Sequence, residues 1–289
     1  MSRCIPTSIV VGALALTLAP GTLFAQGDAR PGVDAGNEEV ERVALERVPD
    51  DSFSRLTVST GAEYSSGDFG DDQDTDILYV PLSLKYETDH WFARITVPYI
   101  RIEGPGDVVG GTQGTVITGE PQGGRETDRE SGIGDIVTSL TYVVNPRSEG
   151  VPIVELTGKV KVPTADEDEN LGTGETDYTA QVDLIQSFGR FTPFATLGYR
   201  FLGDSSDFDL DDTAFGSVGF SYRATDRTQL GVAFDFRQAS TSGTDDPQEA
   251  VLFGSVKLSK RLKLSPYVVL GLSDGSPDYA SGFSVSLSY

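Results

Sequence analysis

Residues 279–289 read Tyr-Ala-Ser-Gly-Phe-Ser-Val-Ser-Leu-Ser-Tyr. Phe283, Val285, Leu287 and Tyr289 are apolar, and Ser284, Ser286 and Ser288 between them are small and polar. A period of two is the side-chain period of a β-strand, so this run has one apolar face and one wet face. A soluble domain gains nothing by ending on an exposed tyrosine. A strand closing a membrane barrel does, because an amphipathic ring sits well at the lipid–water boundary. The run therefore predicts that the chain before it is a series of similar strands.

Twelve alternating segments follow from Arg55 onward, at about 54–64, 77–88, 91–104, 134–145, 151–163, 178–188, 190–202, 214–223, 228–238, 249–258, 262–273 and 279–289. In the second, Leu78, Val80, Leu82, Leu84 and Tyr86 alternate with Tyr79, Pro81, Ser83, Lys85 and Glu87. In the ninth, Leu230, Val232, Phe234 and Phe236 alternate with Gly231, Ala233, Asp235 and Arg237. Connections alternate between short turns such as Asp89–His90 and longer loops at 65–76, 105–133, 164–177, 203–213, 239–248 and 274–278. The pattern predicts an all-β transmembrane antiparallel up-and-down barrel of about 12 strands over 51–289, with short periplasmic turns and long outer loops. The apolar set faces lipid and the polar set faces the lumen.

The N-terminus lies apart from this pattern. Arg3 precedes an apolar stretch from Ser8 to Leu18, and Ala25 marks a cleavage point, so 1–25 reads as a signal peptide, too short for a spanning helix. Residues 26–50 form a periplasmic segment in which Asn37–Val48 suits one short helix. A disordered lead-in, a small plug and a docking helix all remain open for it. The only cysteine, Cys4, precedes the apolar run, so the mature chain offers no disulfide and no thiolate.

A formal net charge of −22 excludes nucleic acid as a partner, since phosphate binding needs Lys/Arg stripes. Of the 44 acidic residues, 25 fall in the six long loops, so the predicted outer rim is strongly acidic. Loop solvation, divalent-cation bridging to anionic headgroups and repulsion of anionic solutes are three readings of that rim. Asp166, Asp168, Asp207, Asp209 and Asp211 are weak Ca²⁺ candidates that lack the ligand spacing of a calcium loop, and no other metal ligand set and no cofactor is implied.

Lumen charges are the candidates for solute selectivity: Arg94, Glu155, Lys159, Lys161, Asp183, Arg200, Asp235 and Arg237. They equally suit cross-lumen pairs that fill a narrow barrel. An enzyme is not expected: the sole histidine, His90, falls in a two-residue periplasmic turn beside Trp91, away from any nucleophile at the outer leaflet. Pro81, Pro98, Pro163, Pro193 and Pro266 remove ladder hydrogen bonds and mark places where strands can part for sideways exit.

The stretch 159–204 carries Val162-Pro163-Thr164, an acidic loop, Leu171-Gly172-Thr173-Gly174, Asp177-Tyr178 and a hairpin into Gly198-Tyr199, with Gly132-Ile133-Gly134-Asp135-Ile136 upstream. These motifs resemble the outer-membrane proteins grouped under the MetA pathway of phenol degradation, a resemblance that extends over roughly 50–289. It implies an outer-membrane barrel that takes up aromatic or other hydrophobic compounds. The strongly acidic loops are a departure that weighs against an anionic aromatic. The expected function is passage of small solutes of this kind. The alternative is a structural or surface-interaction barrel with a closed lumen and cation-binding loops. Expected partners are membrane lipids, lipopolysaccharide, the solute and the outer-membrane assembly machinery.

Overall fold

The computed structural model describes residues 54–70, 73–105, 108–109, 116–117, 128–145, 150–167, 169, 171–204 and 210–289. The signal segment 1–25 and the periplasmic segment 26–50 lie outside them. Twelve antiparallel strands form one closed barrel. They are β1 Ser54–Gly67, β2 Thr75–Thr88, β3 Trp91–Gly104, a split β4 (Asp128–Ile133 and Ile136–Val144), β5 Ile153–Val162, β6 Asp177–Ile185, β7 Phe191–Phe201, β8 Thr213–Arg223, β9 Thr228–Arg237, β10 Gln248–Lys257, β11 Leu262–Gly271 and β12 Tyr279–Ser288. Each strand pairs with its chain neighbours. β12 closes on β1 in a register that sets Val58 opposite Leu287, and Tyr289 exchanges backbone hydrogen bonds with Leu56 at 2.8 and 3.2 Å. Closure removes the free edges of the first and last strands, which is what a backbone in lipid requires.

The exterior follows the alternation. Leu82, Leu84, Leu140, Leu156, Val218, Leu230, Leu252 and Leu270 are exposed outward, and Leu197 most of all at 70 %. In a soluble protein this would be an unsustainable apolar surface; around a closed barrel it is the lipid face. Aromatic pairs ring both ends. Tyr86 and Trp91 lie 5.7 Å apart and Phe191 and Phe220 5.0 Å apart at the end of the short turns. Tyr64–Tyr279 and Tyr199–Phe201 sit 6.2 and 4.9 Å apart at the end of the long loops. Two aromatic belts separated by an apolar band fix the barrel in an outer membrane, with Ser54 and Tyr289 at the end of the short turns.

The fourth strand departs from the sequence reading, which began it at residue 134. Asp128–Ile133 is already strand, paired with Tyr99–Gly104 of β3, and Gly134 and Asp135 then interrupt the ladder. Strand resumes at Ile136 and pairs on both sides, with β3 and with β5. The polar Asp-Arg-Glu-Ser-Gly stretch has weak strand character of its own; the exposed edge of β3 supplies the pairing.

Candidate functional site

The outer half of β4 makes a local break in the wall. Among the described residues, Asp128–Ile133 pairs with β3 alone, because β5 ends at Val162 opposite Ile136. From Val162 the chain turns inward as the 163–176 loop. Three of the five prolines gather here: Pro81 and Pro98 are register partners, Gly134 N–H donates to the Pro98 carbonyl at 2.9 Å, and Pro163 begins the loop. Neither Pro81 nor Pro98 has an N–H to donate.

One buried network ties the break to the loop. The Lys161 ammonium lies 3.2 Å from Asp135 Oδ2 and 2.9 Å from Asp177 Oδ2, and donates to Thr173 Oγ1 at 2.7 Å. Asp135 Oδ1 accepts the backbone N–H of Thr164 and Ala165, both at 3.0 Å. Thr164 in turn bridges the interruption, donating to the Gly134 carbonyl and accepting from Ile136 N–H, each at 3.0 Å. Lys161, Asp135 and Asp177 are all nearly inaccessible to solvent, so each charge depends on the others for compensation. The network holds Leu171, at 1 % exposure, inside the barrel mouth.

Leu171 completes a buried apolar cluster in the barrel mouth. It clusters with Ile77 and Tyr79 of β2, Ile100 and Ile102 of β3, Phe69 of the loop after β1 and Val108 of a two-residue strand between β3 and β4, with Ala165 packed beside them. Phe69 is the only described non-glycine residue with positive φ, at 51°. A bulky residue in the left-handed region is strained, and here the surroundings hold it with its ring buried in the cluster. Cluster and wall break meet at the outer half of β4, which pairs with Tyr99–Gly104 of β3 on one side and has the loop residue Leu171 beside Gly132.

The eight lumen candidates fall into distinct settings. Glu155, Lys159, Lys161, Asp183, Arg200 and Asp235 are buried inside the barrel, and Arg94 and Arg237 are partly buried. Lys159 donates to Gln181 Oε1 at 2.6 Å. Asp183 accepts from Gln181 at 2.9 and 2.8 Å and from Thr196 at 2.6 Å. Asp235 accepts from Ser217 at 2.5 Å. Register aligns Glu155, Asp183, Thr196, Ser217, Asp235 and Glu249 as successive neighbours across β5 to β10, an acidic row. A second row, Lys85, Arg94, Ser139, Lys159, Thr179 and Arg200, runs across β2 to β7 and is basic. Lys161 alone among the eight belongs to the network at the wall break.

The sequence reading missed the apolar part of the lumen. Phe92, Ile153, Ile185, Phe194, Val251, Phe253 and Tyr267 form a second inward cluster, and the Phe194 and Phe253 rings lie 6.1 Å apart. The signal for it was the inward glycines. A side chain on Gly198, Gly219, Gly231 or Gly282 would meet the ring of Phe215, Phe194, Phe253 or Tyr267 in turn. Asp135, Thr173 and Asp177 were also missed, because they sit where alternation stops. Of the calcium candidates, Asp168, Asp207 and Asp209 lie outside the described residues. Asp166 and Asp211 are exposed on separate loops, and no group of three or more metal-ligating side chains occurs among the described residues.

Solved outer-membrane barrels resemble this fold. The COG4313 outer membrane channel from Pseudomonas putida F1 aligns with a TM-score of 0.64 and 13 % identity, covering 84 % of this chain and 97 % of that one. The β domain of the Bordetella autotransporter BrkA aligns at 0.50 and 11 %, covering 83 % and 100 %. The P. putida toluene transporter TodX aligns at 0.41 and 12 %, covering 88 % and 94 %. No curated protein sequence matches. Residues 53–289 match the family described as "Putative MetA-pathway of phenol degradation", and the chain belongs to that family.

Proposed function

We propose that this barrel is a channel for small hydrophobic solutes, aromatic compounds among them, which enter at the apolar cluster in the barrel mouth and leave sideways through the break in β4. The observation that carries this reading is the coincidence of three features at one place: an apolar cluster, a wall strand bonded on one side only among the described residues, and a loop that Lys161 holds over both. The family description, with its reference to phenol degradation, agrees with an aromatic solute. A partly apolar solute loses little on leaving water for such apolar surroundings and gains on entering lipid. The candidate charges Arg94, Glu155, Lys159, Asp183, Arg200, Asp235 and Arg237 then act as a polar packing below the cluster that steers solutes to the side.

The packed lumen favours one further reading, a closed structural barrel. Influx separates the two. In vesicles with a lipopolysaccharide outer leaflet, which slows hydrocarbons, folded protein is expected to speed entry of labelled toluene and phenol. Equal influx with and without protein would leave the structural reading.

A further inference from the structure

A patch of buried serines lines the inner wall where β1, β12 and β11 meet. Ser286 is the register partner of both Ser59 and Lys263, and Ser284 is the partner of both Gly61 and Ser265. The four serines and Lys263 therefore occupy adjoining inward positions near the periplasmic end. Each serine is exposed by only 1–2 %, and none of the four hydroxyls has a hydrogen-bond partner among the described residues. Several lumen hydroxyls satisfy one another, Thr57 with Ser288 at 3.0 Å, Ser83 with Thr96 at 2.7 Å and Thr141 with Thr157 at 2.8 Å, and the other serine or threonine hydroxyls without a partner among the described residues, Thr75 and Thr213, are on other strands. A buried hydroxyl left unmet costs roughly 1–3 kcal/mol, so four together mark a place built to receive an acceptor.

Charge gives the acceptor its sign. Lys263 stands directly opposite Lys257 of β10. Lys257 also feels the positive charges of Arg223 and Arg55, and the negative charge of Asp226 in the adjoining turn. Glu87 is engaged by Arg55 at 2.7 Å and Lys85 at 3.4 Å. Of the inward acids of β1 and β10, Glu63 accepts from the Tyr267 hydroxyl on the outer side of the patch, and Glu249 lies in the outer half of β10. Two like charges directly opposite destabilise a sheet, and an anion between them reverses that effect. On the outer side of the serines, Phe253 and Tyr267 are register partners within the inward apolar cluster.

We propose that this patch binds a small carboxylate with an apolar body. The carboxylate lies between Lys257 and Lys263 and accepts the O–H groups of Ser59, Ser265, Ser284 and Ser286, and the apolar body packs against Phe253 and Tyr267. The acidic loops lie at the other end of the barrel, well beyond the screening length of about 8 Å at physiological salt, so their repulsion does not act on it.

Calorimetric titration of the full folded chain in detergent tests the site, with benzoate, benzyl alcohol and inorganic phosphate as probes and heat-shifted gel migration as the check on folding. Benzoate is expected to bind one site at least about tenfold tighter than either other probe, and Lys263→Met to weaken it by about tenfold or more, the value of one charge-assisted contact. Lys257→Met gives the same readout if Lys263→Met does not fold, and the Ser284→Ala/Ser286→Ala pair gives a smaller loss. Absent benzoate binding by folded wild type, equal affinity for benzyl alcohol, tighter binding of phosphate, or an unchanged affinity in a folded lysine variant overturns the site. None of these outcomes bears on hydrocarbon influx past the outer cluster, so the two proposals stand or fall separately.

Discussion

Gly231 and Phe253 are register partners on the inner wall, and the phenylalanine ring fills the space that a side chain on Gly231 would take. Gly158 points outward with nothing within 4 Å. Valine at 231 is therefore expected to destabilise the barrel by about 1–3 kcal/mol through overpacking, and valine at 158 to be near neutral. Urea folding titrations in lipid vesicles measure both, and equal changes would contradict this account of the lumen packing. On the lipid face, Leu197→Arg near the middle of β7 is expected to cost about 2–4 kcal/mol in the same titration, and a loss within experimental error would place Leu197 away from lipid. Lipid-facing residues were legible because alternation exposes them one by one: Leu82, Leu230 and Leu270 were each read outward and lie outward. Neither inward cluster was read: Ile77 and Tyr79 escaped because in β2 both faces are apolar and period two then carries no contrast, and Phe194 and Phe253 because their clustering depends on register between strands.

At the scale of elements, the wall break is held by electrostatics more than by backbone. Lys161→Met would leave Asp135 and Asp177 buried without their shared cation, a local cost of about 3–5 kcal/mol. The 163–176 loop is expected to open in response, and amide hydrogen exchange in the folded barrel should show faster exchange at Thr164, Ala165 and Leu171 with β7 to β12 unchanged. Exchange that stays slow at all three would mean that the loop is held by Leu171 and the apolar cluster alone. The motif Gly132–Ile136 pointed to this region, but its role was not legible. Gly134 and Asp135 fall where periodicity ceases, and Asp128–Ile133 becomes strand only because the outer end of β3 is there to pair with it. Lys161 was singled out as an inward charge, yet its two partners lie 26 and 16 residues away on either side and meet it only through the barrel register.

For the whole molecule, even strand number, short turns on one side and apolar alternation left closure as the only way to satisfy every backbone group in lipid, and β1 pairs with β12 accordingly. The solute was less legible, since the cluster is assembled from Phe69, Val108 and Leu171 on three different connections together with β2 and β3, and no spacing along the chain joins them. The central claim is that solutes pass this cluster when the loop lifts from the break. A side chain at Gly132 would sit 2.8 Å from Leu171 Cδ1, so a Gly132→Cys/Leu171→Cys pair in a chain with Cys4 replaced by serine, which then has no other cysteine, can tie the loop to the outer half of β4. The decisive measurement is influx of labelled toluene through this variant into lipopolysaccharide-bearing vesicles, first oxidised, with the cross-link verified by mass, and then reduced. The account predicts influx near the protein-free rate when the loop is tied and recovery on reduction. The same influx in both states would contradict it.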